Sequence, residues 1–269
     1  MSLPTPTPTV EKLQLSLQAK AKAESAFRFY SLWDKVCRKD VLQEAYERCR
    51  ANAGAPGVDR ETFEQIETND GREQWLESLR EELRTGRYSP QPLLRVWIPK
   101  SNGGRRPLGI PTIRDRVAQM AVVLVIGPIF ETDLLPQQYG FRPGVDAKMA
   151  LRRVFWHVMQ HGRREVVDAD LRDYFTSIPH VPLMRCLSRR IADRRILCTI
   201  KGWLHSPVVE YVAGRPVRTA EARRKKRGTP QGGVISPLLG ERLLPAFPAG
   251  LATAWPSVPV RCPRRQLCR

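Results

Sequence analysis

Two aspartates in the stretch Val166-Val167-Asp168-Ala169-Asp170-Leu171 are the first residues of this sequence that could build a catalytic centre. Residues two apart on a strand face the same side, so both carboxylates can reach one cation. Mg2+ takes hard oxygen ligands and accepts few of them from protein. The same pair can equally cap the turn that ends a strand. A second pattern is Pro230-Gln231-Gly232-Gly233, whose paired glycines let a backbone approach another group closely. On its own it is an ordinary turn. His157 and His161 stand at i and i+4, but Val158 occupies the position where a zincin carries Glu, so an exposed helix face is the simpler reading. Cys37, Cys49, Cys186, Cys198, Cys262 and Cys268 are scattered without a CxxC pair and read as reduced thiols.

Charge is the next chemical signal. The 269 residues carry 45 Lys plus Arg against 27 Asp plus Glu, a formal net charge of +18. Such an excess repels itself in a compact chain and implies a polyanionic partner, of which nucleic acid is the commonest. It is also clustered: Arg95 to Arg116 holds six basic residues and one acid, and Gly214 to Gly228 holds seven and one. Lys148, Arg152 and Arg153, and the run Arg223-Arg224-Lys225-Lys226-Arg227, read either as solvated faces or as a track for RNA phosphates. The longest apolar run, Met120 to Phe130, is far short of the roughly 20 residues of a spanning helix. The start lacks the layout of a signal peptide. A cytoplasmic location without a membrane partner is expected.

The elements that must position these residues follow from local pattern. Residues 1 to about 12 read as a disordered, Pro-broken arm, and Lys20 to Ala51 as helical. Gly54-Ala55-Pro56-Gly57-Val58-Asp59 is turn chemistry, with a second helical stretch through Leu83. Leu93 to Pro99 and Arg105 to Pro111 form a hairpin around Asn102-Gly103. Thr112 and Asp115 read as a capping box for an apolar helix to about Phe130. Asp146 caps a helix whose stripe of Ala147, Ala150, Leu151, Val154, Phe155 and Val158 is available to bury. A short strand spans Glu165 to Leu171. Helices follow at Val181 to Ile191 and Asp193 to His205, then a hairpin from Val208 to Val217.

Read in order, these blocks resemble reverse transcriptases of the group II intron and retron type. Asp170 and Phe175 reproduce the Asp-x-x-x-x-Phe of the family's first catalytic motif. Arg227 to Leu239 is similar to its Pro-Gln-Gly-Gly block almost letter for letter. Upstream stand Ile98-Pro99-Lys100, Gly104 to Pro111 and Tyr139-Gly140-Phe141-Arg142-Pro143-Gly144, and Gly54 to Asp59 resembles the extra block of the intron-encoded branch. The resemblance covers roughly Leu32 to Leu239. It implies an α+β fold, a partial right-hand polymerase with fingers and an incomplete palm and no thumb. The divisions would be an arm and leading helix over 1–31, fingers over 32–164, palm over 165–239 and a Pro/Arg-rich tail over 240–269.

The resemblance also implies roles. Asp170 is the first Mg2+ carboxylate of a two-ion site, with the Leu171 carbonyl as second ligand and Asp168 structural. Lys100 and Arg106 neutralise the triphosphate, and Arg105, facing the other way, meets a template phosphate. Phe175 packs under the sugar, Gln231 touches the incoming nucleotide, and Gly232 and Gly233 admit nucleotide or template backbone. Tyr139, Phe141 and Arg142 seat template backbone or simply pack their loop. Asp173 and Thr176 depart from the commonest family letters, Gly and Asp. The implied partners are an RNA template, a structured intron RNA, a DNA primer and deoxynucleoside triphosphates.

The family's remaining metal carboxylates belong to a Tyr/Phe-x-Asp-Asp hairpin farther on, and nothing after Leu239 contains Asp. The last thirty residues hold five Pro and five Arg with one Glu, which reads as a frameshifted or rearranged end. The expectation is a fragment without polymerase activity alone, with exposed strand edges. Two other readings stay open: an RNA-binding remnant and a pseudogene product.

Overall fold

The computed structural model describes residues 7–99, 103–162, 165–167, 171, 173–212, 215–219, 226–230, 232–241 and 264–266. Helix α1 (Pro8–Ala23) has Pro8 in its first turn, where the missing N–H is not needed. The arm expected to reach residue 12 therefore ends earlier, because Val10, Leu17 and Ala21 are buried along one side of this helix. The helical stretch expected from Lys20 to Ala51 is also broken, into α1, α2 (Trp33–Val36) and α3 (Lys39–Ala51). The cause is tertiary. Phe29 N donates to Arg190 O at 2.7 Å, and Phe29 O accepts from Ala192 N at 2.7 Å. These bonds hold residue 29 extended beside Ile191.

Helix α4 (Phe63–Gln65) starts with a reciprocal capping box between Thr62 and Gln65, runs through a π-helical turn at Ile66–Asp70 and is followed by α5 (Arg72–Thr85). Strands β1 (Leu93–Pro99) and β2 (Arg105–Ile110) pair antiparallel in the expected hairpin. Helix α6 (Ile113–Glu131) is apolar around most of its circumference and is accordingly the buried axis of the molecule, with α1 and α3 packed along it. Pro128 cannot donate to the Leu124 carbonyl one turn earlier; the Gln14 side chain on α1 donates to it instead, at 2.9 Å. At the other end Thr112 accepts from Asp115 N at 3.1 Å, half of the expected capping box. The other half is absent because the Asp115 carboxylate is engaged elsewhere.

Helix α7 (Ala147–His161) is capped by Asp146, as expected, but none of its residues is buried, and Leu151, Val154 and Phe155 stand exposed. Its stripe is thus uncovered among the described residues. Strand β3 (Glu165–Val167), α8 (Tyr174–Ser177), α9 (His180–Ser188), α10 (Arg194–His205), β4 (Val208–Val212), β5 (Arg215–Arg218), α11 (Ser236–Glu241) and β6 (Arg264–Gln266) complete the elements. The main sheet has the order β2-β1-β4-β5, with β4 parallel to β1 through Leu93 opposite Val208. It joins strands from both sides of the division expected near residue 164. The tail contributes β6, antiparallel to β3. Among the described residues no helix is long and apolar enough to cross a membrane.

Two buried polar junctions lock the helices. The Asp193 carboxylate caps two helices at once, accepting from Leu32 N and Trp33 N at 2.8 Å and from Arg195 N and Ile196 N at 3.0 and 3.3 Å. Asp115 accepts from the Tyr88 hydroxyl at 2.6 Å and Gln91 N at 3.0 Å, while Trp203 Nε1 donates to Tyr88 Oη at 2.8 Å. Burial, then the adjacent Asp115, hold the Tyr88 pKa well above its ordinary 10.0. An unfolded tyrosine ionises near that ordinary value, so Tyr88's contribution is complete below it and is lost as pH rises toward the folded value. Tyr88→Phe, which strands an acceptor and a donor, is expected to cost about 2–3 kcal/mol in urea unfolding at neutral pH. It should also make the alkaline loss of stability shallower. Parallel alkaline losses in parent and variant would contradict this reading.

Candidate nucleotide and nucleic acid site

The segment expected to follow the first metal carboxylate is tied to the segment leading into Pro-Gln-Gly-Gly by a short backbone ladder. Thr229 N donates to Phe175 O and Gly228 N to Ile178 O, both at 2.7 Å, and His180 N donates to Lys226 O at 3.1 Å. The buried His180 ring adds a contact from Nε2 to Gly228 O at 2.9 Å. Gly228 has φ 89°, and a Cβ there would lie 2.8 Å from Thr176 O, so only glycine allows the two segments to approach this closely. Sequence reading singled out neither His180 nor Gly228. A glycine just before Thr-Pro was the available signal for the second.

The paired glycines are filled by the protein itself. A Cβ on Gly232, whose φ is 105°, would sit 2.8 Å from Gly109 O and 2.9 Å from Leu108 Cδ1 on β2. One on Gly233 would meet Ser236 Oγ at 2.9 Å, and that hydroxyl donates to Pro230 O at 2.7 Å. Gln119 on α6 accepts from Ile235 N at 3.3 Å. The loop is therefore seated on the hairpin and the central helix at once. Leu108 and Arg106 lie on the same face of β2, two residues apart, so the exposed Arg106 is presented on the face that carries the loop and Arg105 on the other.

Phe175 is half-buried. It packs edge-to-face on Phe141, with centroids 6.2 Å apart, and on Tyr174 at 5.4 Å. Gly240 on α11 leaves room for the Phe175 ring, and its carbonyl accepts from the Tyr174 hydroxyl. Phe141 is itself exposed and left-handed, with φ 52°, a conformation that costs a bulky residue roughly 1–3 kcal/mol. Arg142 is spent within its loop: it donates to Glu131 from Nε at 2.9 Å and to the carbonyls of Leu135 and Gln138 at 3.2 and 2.8 Å. That is the loop-packing alternative for this residue. Tyr139 and Leu171 are partly exposed. Asp168, Asp170, Lys100, Gln231 and Arg223 to Lys225 lie outside the described residues.

The basic cluster from Arg95 to Arg116 divides into two kinds of residue. Arg116 is buried and donates to Gly54 O at 3.1 Å and Ala55 O at 2.6 Å, and burial lowers its pKa. It thereby docks the Gly54–Asp59 turn, where a Cβ on Gly57 would lie 2.7 Å from Thr112 Cα. Arg114 pairs with Glu82 at 2.8 Å and Arg95 with Glu210 at 3.6 Å. Arg105 and Arg106 are the exposed guanidinium groups on the hairpin, with no carboxylate partner among the described residues.

Comparison with known proteins gives the family. The family profile described as reverse transcriptase (RNA-dependent DNA polymerase) matches residues 98–266. The chain belongs to the reverse transcriptase family, and within it to the group II intron type. It is 36% identical to protein YkfC of Escherichia coli over 83% of this chain and 58% of that protein. It is 30% identical to the group II intron-encoded protein LtrA of Lactococcus lactis, over 78% of this chain and 33% of that one. Among solved structures, a chain of a partial Cas6-RT-Cas1–Cas2 complex aligns with TM-score 0.49 at 21% identity, over 82% of this chain and 35% of that chain. The chain thus spans between a third and three-fifths of these two relatives' length.

Reverse transcriptases use divalent metal ions. Among the described residues no group of three His, Cys, Asp or Glu side chains is placed to hold one; Asp168 and Asp170 are not among those residues.

The glycine geometry has a direct consequence. Gly232→Ala combines a strained φ with collision against β2 backbone and is expected to cost at least about 2 kcal/mol. Gly233→Ala has no left-handed φ to strain and its one close contact is the Ser236 hydroxyl, at 2.9 Å, so it should cost less. Thermal unfolding of the two variants side by side checks the order, and equal midpoints would contradict it.

Proposed function

We propose that this chain forms the nucleotide-facing fingers hairpin and the first part of the palm of an RNA-directed DNA polymerase, and that it holds RNA by its phosphate backbone. The observation that carries this is the seating of the Pro-Gln-Gly-Gly loop on β2, beside the exposed Arg105 and Arg106. On this reading Arg106, with Lys100, faces the triphosphate, and Arg105 faces a template phosphate. Phe175 lies under the nucleotide sugar, its ring angle set by Phe141 and Tyr174. Gln231 touches the incoming nucleotide, and Tyr139 stands at the template side, with Arg142 keeping its loop closed. Gly232 and Gly233 serve by close packing of the loop rather than by leaving space.

Asp170 and the Leu171 carbonyl are the residues proposed to face Mg2+. The sequence has no Asp beyond Asp193. Two-ion chemistry therefore lacks its carboxylates within this chain, and that inventory favours RNA binding over catalysis as the activity of the chain alone. The partners proposed are template and intron RNA, with a DNA primer and deoxynucleoside triphosphates where catalysis is complete.

Purified chain should bind a structured RNA with an affinity that falls linearly with salt on a log–log plot. The doubled substitution Arg105→Ala/Arg106→Ala should lower that slope by about 2. Primer extension with Mg2+ should give no product. An unchanged salt slope would remove the hairpin from the RNA path, and metal-dependent extension would overturn the carboxylate inventory.

A further inference from the structure

Among the described residues four that are not glycine have left-handed backbone, and Phe141 is the only aromatic one of them. A ring in that conformation would ordinarily be held by its own burial, but Phe141 is 68% exposed. Its backbone is therefore held by something other than the packing of its ring. The contact the ring does make is with Phe175, at 6.2 Å between centroids and 83° between planes. An edge-to-face pair sets the electropositive rim of one ring on the electronegative face of the other, which fixes an angle as well as a distance.

The strained backbone is held by the next residue. Arg142 donates from Nε at 2.9 Å and from Nη2 at 2.5 Å to one oxygen of Glu131, at the end of α6. Its Nη1 donates to the carbonyls of Leu135 and Gln138 at 3.2 and 2.8 Å. Gln138 in turn accepts from Leu135 N at 2.8 Å, and Val145 N donates to Arg142 O at 3.3 Å. The loop is thus closed on itself and on α6 before any ligand arrives. At the other end of the contact, Thr229 N pins the Phe175 backbone at 2.7 Å. A Cβ on Gly240 would lie 2.7 Å from Phe175 Cε1, so α11 bounds the ring there. Phe141 bounds it from a separate loop, and the chain of contacts runs from Glu131 through Arg142 and Phe141 to Phe175.

We propose that Phe141 is a positioning residue for sugar selection, with Arg142 and Glu131 as the positioning residues behind it. A half-buried ring with two rotatable bonds can swing away from one added hydroxyl, and a wall that yields does not select. Braced by Phe141, the Phe175 ring stays in place, so that a deoxyribose fits against it and a ribose 2′-hydroxyl collides. The substrate class selected by the brace is the 2′-deoxynucleoside triphosphate. This rests on the reading of Phe175 as the residue under the nucleotide sugar. It adds that the selectivity is set from outside that residue, by a strained loop anchored on α6.

The test is fluorescence anisotropy of the full chain on a short RNA template with a DNA primer, in Mg2+. The titrants are the deoxy and ribo triphosphates of one base, carrying the same fluorophore on the γ-phosphate. The parent should bind the deoxy form about tenfold more tightly, and Phe175→Ala should bring the two forms level. Phe141→Gly removes the ring and relieves the backbone together. Its thermal midpoint should therefore be no lower than the parent's, while the deoxy preference falls about fivefold. Glu131→Gln should shrink the preference in the same direction, and Phe141→Tyr, which keeps the ring pair, should retain it. If Phe141→Gly keeps the parent's preference while Phe175→Ala loses it, the brace falls and the polymerase reading stands. The same holds if Phe141→Gly weakens both forms alike, since that is the mark of a purely structural role. A parent that binds neither form, or both equally, overturns the reading of Phe175 and the brace with it.

Discussion

The backbone ladder between residues 175–180 and 226–229 is the constraint on which the rest of the site depends. Three N–H···O bonds and the His180 ring fasten the Phe175 turn to the Pro-Gln-Gly-Gly approach across fifty residues of intervening chain. Closing a loop of that length costs conformational entropy, which these buried bonds help to offset. Gly228 makes the approach sterically possible, and Gly232 repeats the device against β2. Together they bring the Phe175 ring, the Gly232–Gly233 turn and the Arg106 face of the hairpin into one unit. None of the three has to wait for a ligand to be placed.

A second set of buried polar contacts fixes the helical body against which that unit rests. Asp193 holds the starts of α2 and α10 with one carboxylate. Arg190 donates to Ala21 O at 2.7 Å and Glu24 O at 3.1 Å at the end of α1, and lies 3.4 Å from Asp133. Arg116 does the same for the Gly54–Asp59 turn. Each is a charged side chain taken from a strongly basic sequence and spent on internal carbonyls or amides. The excess of charge is therefore not simply a nucleic acid footprint: part of it is structural, and Arg105 and Arg106 on the hairpin belong to the part left exposed.

Much of this was legible in the sequence. The β1–β2 hairpin, the Thr112 and Asp146 caps and α10 behind Asp193 all follow from local pattern, because turn chemistry and caps act over three or four residues; the family blocks rest on resemblance. What was not legible is what depends on distant partners. Nothing near Phe29 announces that it pairs beside Ile191, so the helix expected from Lys20 to Ala51 was not seen to break. Arg116 and Arg105 look alike in a basic run, yet one is buried on carbonyls and the other exposed. The period of α7 places its apolar residues on one stripe, and periodicity says which face could be buried without saying what covers it. Gly232 and Gly233 signalled close approach, but the group that approaches is β2 and Ser236.

Amide hydrogen exchange at His180, Gly228 and Thr229 tests the central claim most directly, since these are the donors of the ladder. The account predicts that all three exchange slowly and together, at rates comparable with amides in the middle of α6, because opening the ladder requires the site to come apart as a unit. Exchange of Gly228 and Thr229 at rates near those of an unstructured chain, while α6 stays protected, would contradict it. The loop would then be joined to the fold only through β2 and α6, and the site would not be preformed.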